Sequence, residues 1–420
     1  MPKYYFPRGK KKPLITLLLL IGLILLGLLV AQIPTAKSRL TWRLITGEAY
    51  LRGMVDPVKS MPTAVPPPGK SERIPSDKPT PLLAPSTPAV QSSPTPQPSS
   101  TALPVKVELE PPPYEKQDIN NCGPATLSMQ LNYFGWQGDQ YDVSRVIKPI
   151  DQDRNVNIEE LLFFARNYAG WLRSEFRVGG SIDLLREFIA AGLPVVIEEG
   201  FSMEEDYWPN DDRWAGHYLL ITAYDDSVAT FTVQDSFLGP DRSVAYKDLD
   251  HTWQTFNRVY FIIFTPEQEG LVRQLLGEDW DVVVNRQNAL AVAHSETQAD
   301  PENPFAWFNL GSNLVYFDEY AEAADAYDRA RELGLPQRML RYQFGPFFAY
   351  FNLNRNEDLL ALTEYALKRT PNSEEALLWH GWALYRDGNK LDALLEFQKA
   401  VEARPGYFDA DYAIKFVNEH

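Results

Sequence analysis

Gln117-Asp118-Ile119-Asn120-Asn121-Cys122-Gly123-Pro124-Ala125 is the stretch from which the rest of this 420-residue chain can be read. It contains the single cysteine of the sequence. Gly123 and Pro124 follow the thiol, and Thr126 to Phe134 then reads as a helix that Gly135 closes. Proline suits a first helical turn, where its missing N–H is not needed. The spacing therefore puts Cys122 at a helix N-terminus, where the macrodipole and unpaired N–H groups favour a thiolate. The thiolate is the nucleophilic form. This placement points to covalent chemistry rather than to a small apolar side chain packed in a core.

A thiolate nucleophile needs a base, and the base needs an orienting group. Of the five histidines, His294, His380 and His420 lie in or near a helical C-terminal part. His217 instead heads the apolar run from Tyr218 to Tyr224, which reads as a strand. Thr230 to Gln234 reads as the next strand and ends at Asp235, with a hairpin turn at Asp225-Asp226-Ser227 between them. If that loop centres on Asp226, His217 faces Asp235. Opposed residues on antiparallel strands share a face with Cβ atoms about 4.5–5.5 Å apart, and a slip of one residue would separate them. The candidate catalytic residues are thus Cys122 as nucleophile, His217 as base and Asp235 as the group that fixes the imidazole tautomer. The Cys122 backbone N–H and the side-chain amide of Gln117 are the available donors for an oxyanion.

Gln117, Asn120 to Ala125, the helix running to Tyr133-Phe134-Gly135, Gly216-His217-Tyr218 and Gln234-Asp235-Ser236 together resemble a C39-like cysteine peptidase domain. This family is of papain type and includes the double-glycine peptidases; the resemblance covers about residues 114–264. It implies an α+β papain-like fold, with Gln117 as oxyanion donor, Cys122 as nucleophile, His217 as base, Asp235 as orienter, and no cofactor or metal. A papain-type site also serves acyl transfer, as in transglutaminases, and a non-catalytic peptide-binding scaffold would keep the same fold. Bacteriocin-processing members precede an ABC transporter and cut leader peptides in the cytoplasm. A helical repeat follows here instead, and double-glycine leaders are not the expected substrate.

The rest of the domain, taken as residues 114–266, agrees with this class. Helices are predicted at Ile158–Tyr168 and Ile182–Ala191, with Asn157 and Ser181 as N-caps, and further strands at Pro194–Glu198 and Val259–Phe264. Helices first and strands later read as α+β. Seven acids fall between Glu198 and Asp212 without the spacing of a calcium loop. They read as a solvated loop, with a rim of the cleft as the alternative. Tyr207, Trp208 and Trp214 in the same stretch read as apolar subsites or as staples for the loop.

Residues 267–420 read as an all-α tetratricopeptide solenoid. Pro301, Pro336, Pro371 and Pro405 recur at 35, 35 and 34 residues. Trp307, Leu310, Gly311, Ala323, Tyr327 and Ala330, and again Gly381, Ala393, Phe397 and Ala400, resemble the small and aromatic positions of that repeat family, with a degenerate unit between them. The resemblance implies a peptide or protein partner.

The N-terminal part carries the localisation signals. Lys3, Arg8, Lys10, Lys11 and Lys12 precede Leu14 to Ile33, twenty residues without a charge, which is the length of a transmembrane helix. Residues 1–36 read as a cytoplasmic basic tip and a single-pass type II membrane anchor, with everything beyond them extracytoplasmic. Residues 37–61 read as a membrane-proximal segment. Residues 62–113 hold sixteen prolines among Ser and Thr and read as a disordered stalk. A net charge of −16 argues against a nucleic-acid partner, and one cysteine excludes an internal disulfide and a cysteine zinc cluster.

Overall fold

The computed structural model describes residues 34–64, 102–148 and 156–420. Its strands are β1 (Lys106–Glu108), β2 (Arg173–Arg177), β3 (Val195–Ser202), β4 (Trp214–Asp225), β5 (Thr230–Asp235), β6 (Gly239–Ala245) and β7 (Tyr260–Phe264). They form one antiparallel sheet in the order β2-β7-β3-β4-β5-β6, and β1 joins β4 beyond the end of β3. Strand β7, Tyr-Phe-Ile-Ile-Phe, is buried along its whole length because helices cover both faces. Phe261 and Ile263 pack with Leu127, Leu131 and Leu161 of α2 (Cys122–Tyr133) and α4 (Ile158–Tyr168). Tyr260, Ile262 and Phe264 pack with Leu185, Phe188 and Trp253 of α5 (Ile182–Ala190) and α6 (Tyr246–Gln254). The α3 helix (Gln140–Ile147) lies beside α2.

The predicted caps are where the sequence put them. The Asn157 side chain accepts from the Glu160 N–H in a capping box, and Ser181 accepts from the Leu184 N–H. Helix α2 starts at Cys122 itself rather than at Thr126, so the thiol belongs to the first turn. The acidic stretch departs from a solvated loop. Glu198 and Glu199 are buried in β3, and Asp211 is buried as well.

Strand β1 corrects the reading of residues 62–113 as disordered throughout. Val105 to Leu109 alternates apolar and polar residues and adds to the edge of β4 that β3 leaves open. Hydrogen bonds from the Asp226 N–H to Val105 O (2.8 Å) and from the Leu109 N–H to Thr222 O (2.9 Å) extend the pairing. The folded domain therefore begins before residue 114. The apolar run Leu14 to Ile33 and most of the proline-rich segment lie outside the described residues. Among the described residues no helix is long and apolar enough to cross a membrane. Residues 34–55 form helix α1 (Pro34–Val55), and residues 57–64 continue without regular structure.

The C-terminal part stacks helices in pairs. After α7 (Glu269–Leu276) and α8 (Val282–Ala299) come α9 (Pro304–Tyr316) with α10 (Tyr320–Leu333), α11 (Gly345–Asn352) with α12 (Asn356–Arg369), α13 (Glu374–Arg386) with α14 (Lys390–Ala403), and α15 (Phe408–Glu419). The repeated glycines mark close crossings. A Cβ at Gly311 would lie 2.7 Å from the Tyr327 ring, and one at Gly381 would lie 2.5 Å from Phe397. The middle unit is degenerate for a visible reason. Residues 334–344 hold only a 3-10 turn, Met339–Arg341, so the first helix of that pair shrinks to eight residues. The freed segment reaches back to the sheet domain.

The two parts pack as one body. The Trp214 ring stacks on Phe256 of the sheet domain and on Phe305 of α9, with ring centroids 5.7 and 6.4 Å away. The Asn309 amide donates to Gln254 O (2.7 Å), and Arg338 forms two 2.6 Å bonds to Asp211 with both side chains almost fully buried.

Candidate active site

The cysteine loop is held by a short helix that the sequence reading missed. The α3 helix is started by a capping box of Asp139 and Asp142, which places Gln140 in its first turn. The buried Gln140 amide uses all of its hydrogen-bonding capacity on the loop. Its oxygen accepts from the Asp118 N–H (2.6 Å) and from Asn121 Nδ2 (3.0 Å); its nitrogen donates to Lys116 O (2.8 Å) and Glu115 Oε1 (3.0 Å). Asn120 sits at φ +53°, in the left-handed region that Asn tolerates better than most residues, and turns the chain into the helix. Lys148, at the end of α3, donates to Asn120 O (2.7 Å) and Asn121 Oδ1 (3.3 Å).

Cys122, His217, Asp235 and Gln117 come together at the mouth of this loop. His217 Nε2 lies 2.9 Å from Asp235 Oδ1, and both side chains are buried. That contact leaves Nδ1 as the ring nitrogen for the Cys122 thiol, which is hydrogen-bonded to His217. Asp235 Oδ1 also accepts the N–H groups of Phe237 (2.9 Å) and Leu238 (3.0 Å), so the carboxylate is fixed from two sides. Phe201 packs against the imidazole at 5.1 Å and Phe237 against Phe201 at 5.5 Å, shielding the ring.

The hairpin reaches this pairing by a different register from the one expected. The loop is longer than a turn centred on Asp226, because Asp225 pairs with Thr230. Regular pairing from that point would set Asp235 opposite Leu220, on the wrong face of β4. A bulge at Thr222 shifts the register by one, and Asp235 pairs with Leu219. His217 lies two residues from Leu219, on the same face, and reaches Asp235 diagonally.

Gln117 is held by a residue for which the sequence suggested no role. Its backbone N–H donates to Ser236 O (2.8 Å), and the Ser236 hydroxyl donates to Gln117 Oε1 (2.9 Å). The amide nitrogen is thereby the end left to face the cleft, where Gln117 and Cys122 both line the wall. The Tyr114 hydroxyl donates to Asp235 O (3.0 Å) and ties the start of the loop to the end of β5.

The electrostatics favour an ion pair. Burial pushes the Cys122 thiol up, but the His217 hydrogen bond and charge, the Lys148 charge and the Gly123 N–H outweigh it and leave the thiol below its usual value. Burial pushes His217 down, and its bonds to Asp235 and Cys122 reverse that and raise it. Asp235 is destabilised by burial, yet His217 and the two N–H donors hold its carboxyl below the usual range. Glu198, buried in β3, is raised well above the carboxylate range by desolvation.

The cleft wall is shared between the two parts of the chain. Glu204, Glu205 and Asp206 do rim it, as the alternative reading of the acidic loop had it. Arg338, Arg341 and Tyr342 line it from the unwound start of the middle repeat. A Cβ at Gly216 would lie 3.1 Å from the Tyr342 ring, so the residue beside His217 is glycine where the repeat segment presses on the sheet. Trp208 and Trp214 act as staples. Trp208 Nε1 donates to Gln337 Oε1 (2.7 Å), and Tyr342 meets the Trp214 ring edge-on at 5.7 Å.

Residues 108–263 match the model of the Peptidase_C39 like family. Similar solved structures fall into two groups. One holds a protein from Bacillus anthracis described as a C39-like peptidase (18% identity, 38% of this chain and 98% of that one, TM-score 0.30). It also holds the double glycine motif protease of an AMS/PCAT transporter (17%, 38% and 94%, TM-score 0.28). The other holds YrrB, described as a TPR protein with an unusual peptide-binding site (24%, 35% and 72%, TM-score 0.30). No curated protein sequence matches the chain. A C39-like domain followed by a tetratricopeptide-like array is the two-part resemblance that the motifs carried.

Proposed function

We propose that the chain is a cysteine peptidase of C39-like type that hydrolyses peptide bonds with Cys122, His217 and Asp235. The observation that carries this is the convergence of a depressed thiol, a buried imidazole held by a carboxylate, and the Gln117 amide turned toward the same cleft. The Cys122 thiolate attacks the scissile carbonyl carbon, and the carbonyl oxygen takes the electron pair. Gln117 Nε2 and the Cys122 N–H are placed to donate to that oxyanion. The intermediate collapses to a thioester as the C–N bond breaks, and the His217 imidazolium gives its proton to the departing amine. Water then adds to the thioester while His217 takes its proton, releasing the carboxylic acid and the thiolate. Asp235 keeps the imidazole oriented throughout.

The helical array would bring a peptide or protein to the domain, in keeping with the way such repeats present a surface. The uncharged run from Leu14 to Ile33 behind a basic tip supports anchoring at a membrane, with the catalytic part on the outer side. Cleavage of a peptide library by the full chain tests the catalytic reading. Cys122→Ala and His217→Ala should abolish turnover, and Asp235→Asn should retain a small fraction of it. Equal cleavage by Cys122→Ala would overturn the reading. Products carrying an added amine in place of water would turn it toward acyl transfer.

A further inference from the structure

The array of helices is not empty. Residues 56–63, between α1 and the proline-rich segment, lie in a groove formed by the C-terminal ends of α10 and α12. Arg369 Nη2 donates to Lys59 O (2.9 Å) and Arg331 Nε donates to Pro62 O (2.8 Å). Between them Met61 is 5% exposed and packs into the core of the repeats. Lys368 pairs with Asp56 at 3.2 Å. Two arginines on main-chain carbonyls and one buried apolar side chain are how a groove holds an extended peptide: the backbone gives affinity and the pocket gives specificity.

The segment also carries something. Helix α1 precedes it and rests on the loop that rims the cleft. A Cβ at Gly53 would lie 2.8 Å from Trp208 Cβ, and Thr46 lines the cleft together with Glu204, Glu205, Asp206 and Tyr207. Its described apolar side chains face largely outward. Leu44, Leu51, Met54 and Val55 are all more than half exposed, so among the described residues these side chains build no core that would hold α1 there.

We propose that residues 56–63 are an internal ligand of the repeats, and that their seat in the groove between α10 and α12 holds α1 as a cover along the mouth of the Cys122 cleft. An extended peptide with an apolar residue where Met61 sits, offered in trans, competes for the groove and frees the cover. The proposal rests on the cleft and its thiol, not on hydrolysis.

Iodoacetamide labelling of Cys122 in the full chain, read with hydrogen exchange over α1, tests it. Met61→Asp puts a charge into an apolar seat and should speed labelling about tenfold, as expected when a mostly closed cover becomes mostly open. Its α1 amides should lose protection. Met61→Leu should label like the wild type. Gly53→Leu crowds Trp208 and lifts α1 at a point away from the Met61 seat; it should also speed labelling, which covers the case in which Met61→Asp disturbs the core of the array. A synthetic peptide of residues 56–63 should bind Met61→Asp and, in excess, speed labelling of the wild type. Wild-type labelling rates in both Met61→Asp and Gly53→Leu would overturn the proposal, as would α1 protection that survives Met61→Asp. Faster labelling without any peptide cleavage would refute the peptidase reading and leave the cover standing.

Discussion

At Cys122 two opposed effects act on one proton. Burial disfavours the thiolate, while His217, Lys148 and the Gly123 N–H favour it, and the second set prevails. The imidazole partner is raised, so the charged pair exists between the lowered value of the thiol and the raised value of His217. Labelling by a small alkylator follows the thiolate. We therefore expect a rate that falls, as pH is lowered, at a lower pH than for a free thiol, as the thiolate takes up a proton at its lowered value. In Asp235→Asn the imidazolium loses its counter-charge, and the fall should move to higher pH. A single inflection near that of a free thiol, about 8.5, in the unaltered protein would contradict the ion pair. Rates of iodoacetamide labelling between acid and alkaline buffers read this directly.

Among the elements, α3 has the clearest task, because one of its side chains sets the cysteine loop. Replacing Gln140 by Ala would leave the Asp118 N–H and Asn121 Nδ2 without their acceptor. Stranding buried polar groups costs about 1–3 kcal/mol, and a loop displaced by even 1 Å lowers kcat by about a hundredfold. Gln140→Ala should thus lose turnover far more than KM changes, with faster amide exchange at Asp118; an unchanged kcat would refute the role.

The sequence disclosed the helix after Cys122 and the apolar strand after His217, since both are written in local periodicity and caps. It also disclosed the meeting of His217 with Asp235, though through a register that set them directly opposite, where the strands place Asp235 two residues further along, opposite Leu219. The bulge at Thr222 that restores the contact has no local mark, because a bulge is decided by the edges of neighbouring strands. The bond from Ser236 to Gln117 and the role of Gln140 were invisible for the same reason: their partners lie 119 and 22 residues away. Strand β1 was hidden by the prolines around it, although Val105 to Leu109 carries the alternation.

At the scale of the whole molecule the buried pair Arg338–Asp211 joins the repeats to the cleft loop. Truncating one member of such a pair leaves the other charge buried, at a cost of about 3–5 kcal/mol. Arg338→Ala should lower the thermal midpoint markedly and weaken peptide cleavage as the rim loosens. The sign with pH follows from Asp211. Burial raises its carboxyl, but Arg338 and two N–H donors bring it below the usual range. Its contribution is complete above the unfolded carboxyl value and is lost as pH falls through the lowered one. The difference in stability between Arg338→Ala and the parent should accordingly shrink in acid, and a difference that stays constant down to strongly acid pH would argue against the pair.

The unwound start of the middle repeat sets a limit on how this protein can diversify. Helical repeats are ordinarily interchangeable modules, added, dropped or swapped without harm to what lies beside them. Here one module has given up a turn of helix so that Arg338, Arg341 and Tyr342 can wall the cleft. Grafting a regular unit into that place would repair the solenoid and breach the cleft wall. The two parts are therefore bound to change together, the more so because Arg404, beyond α14, pairs with Glu160 of the sheet domain at 2.9 Å.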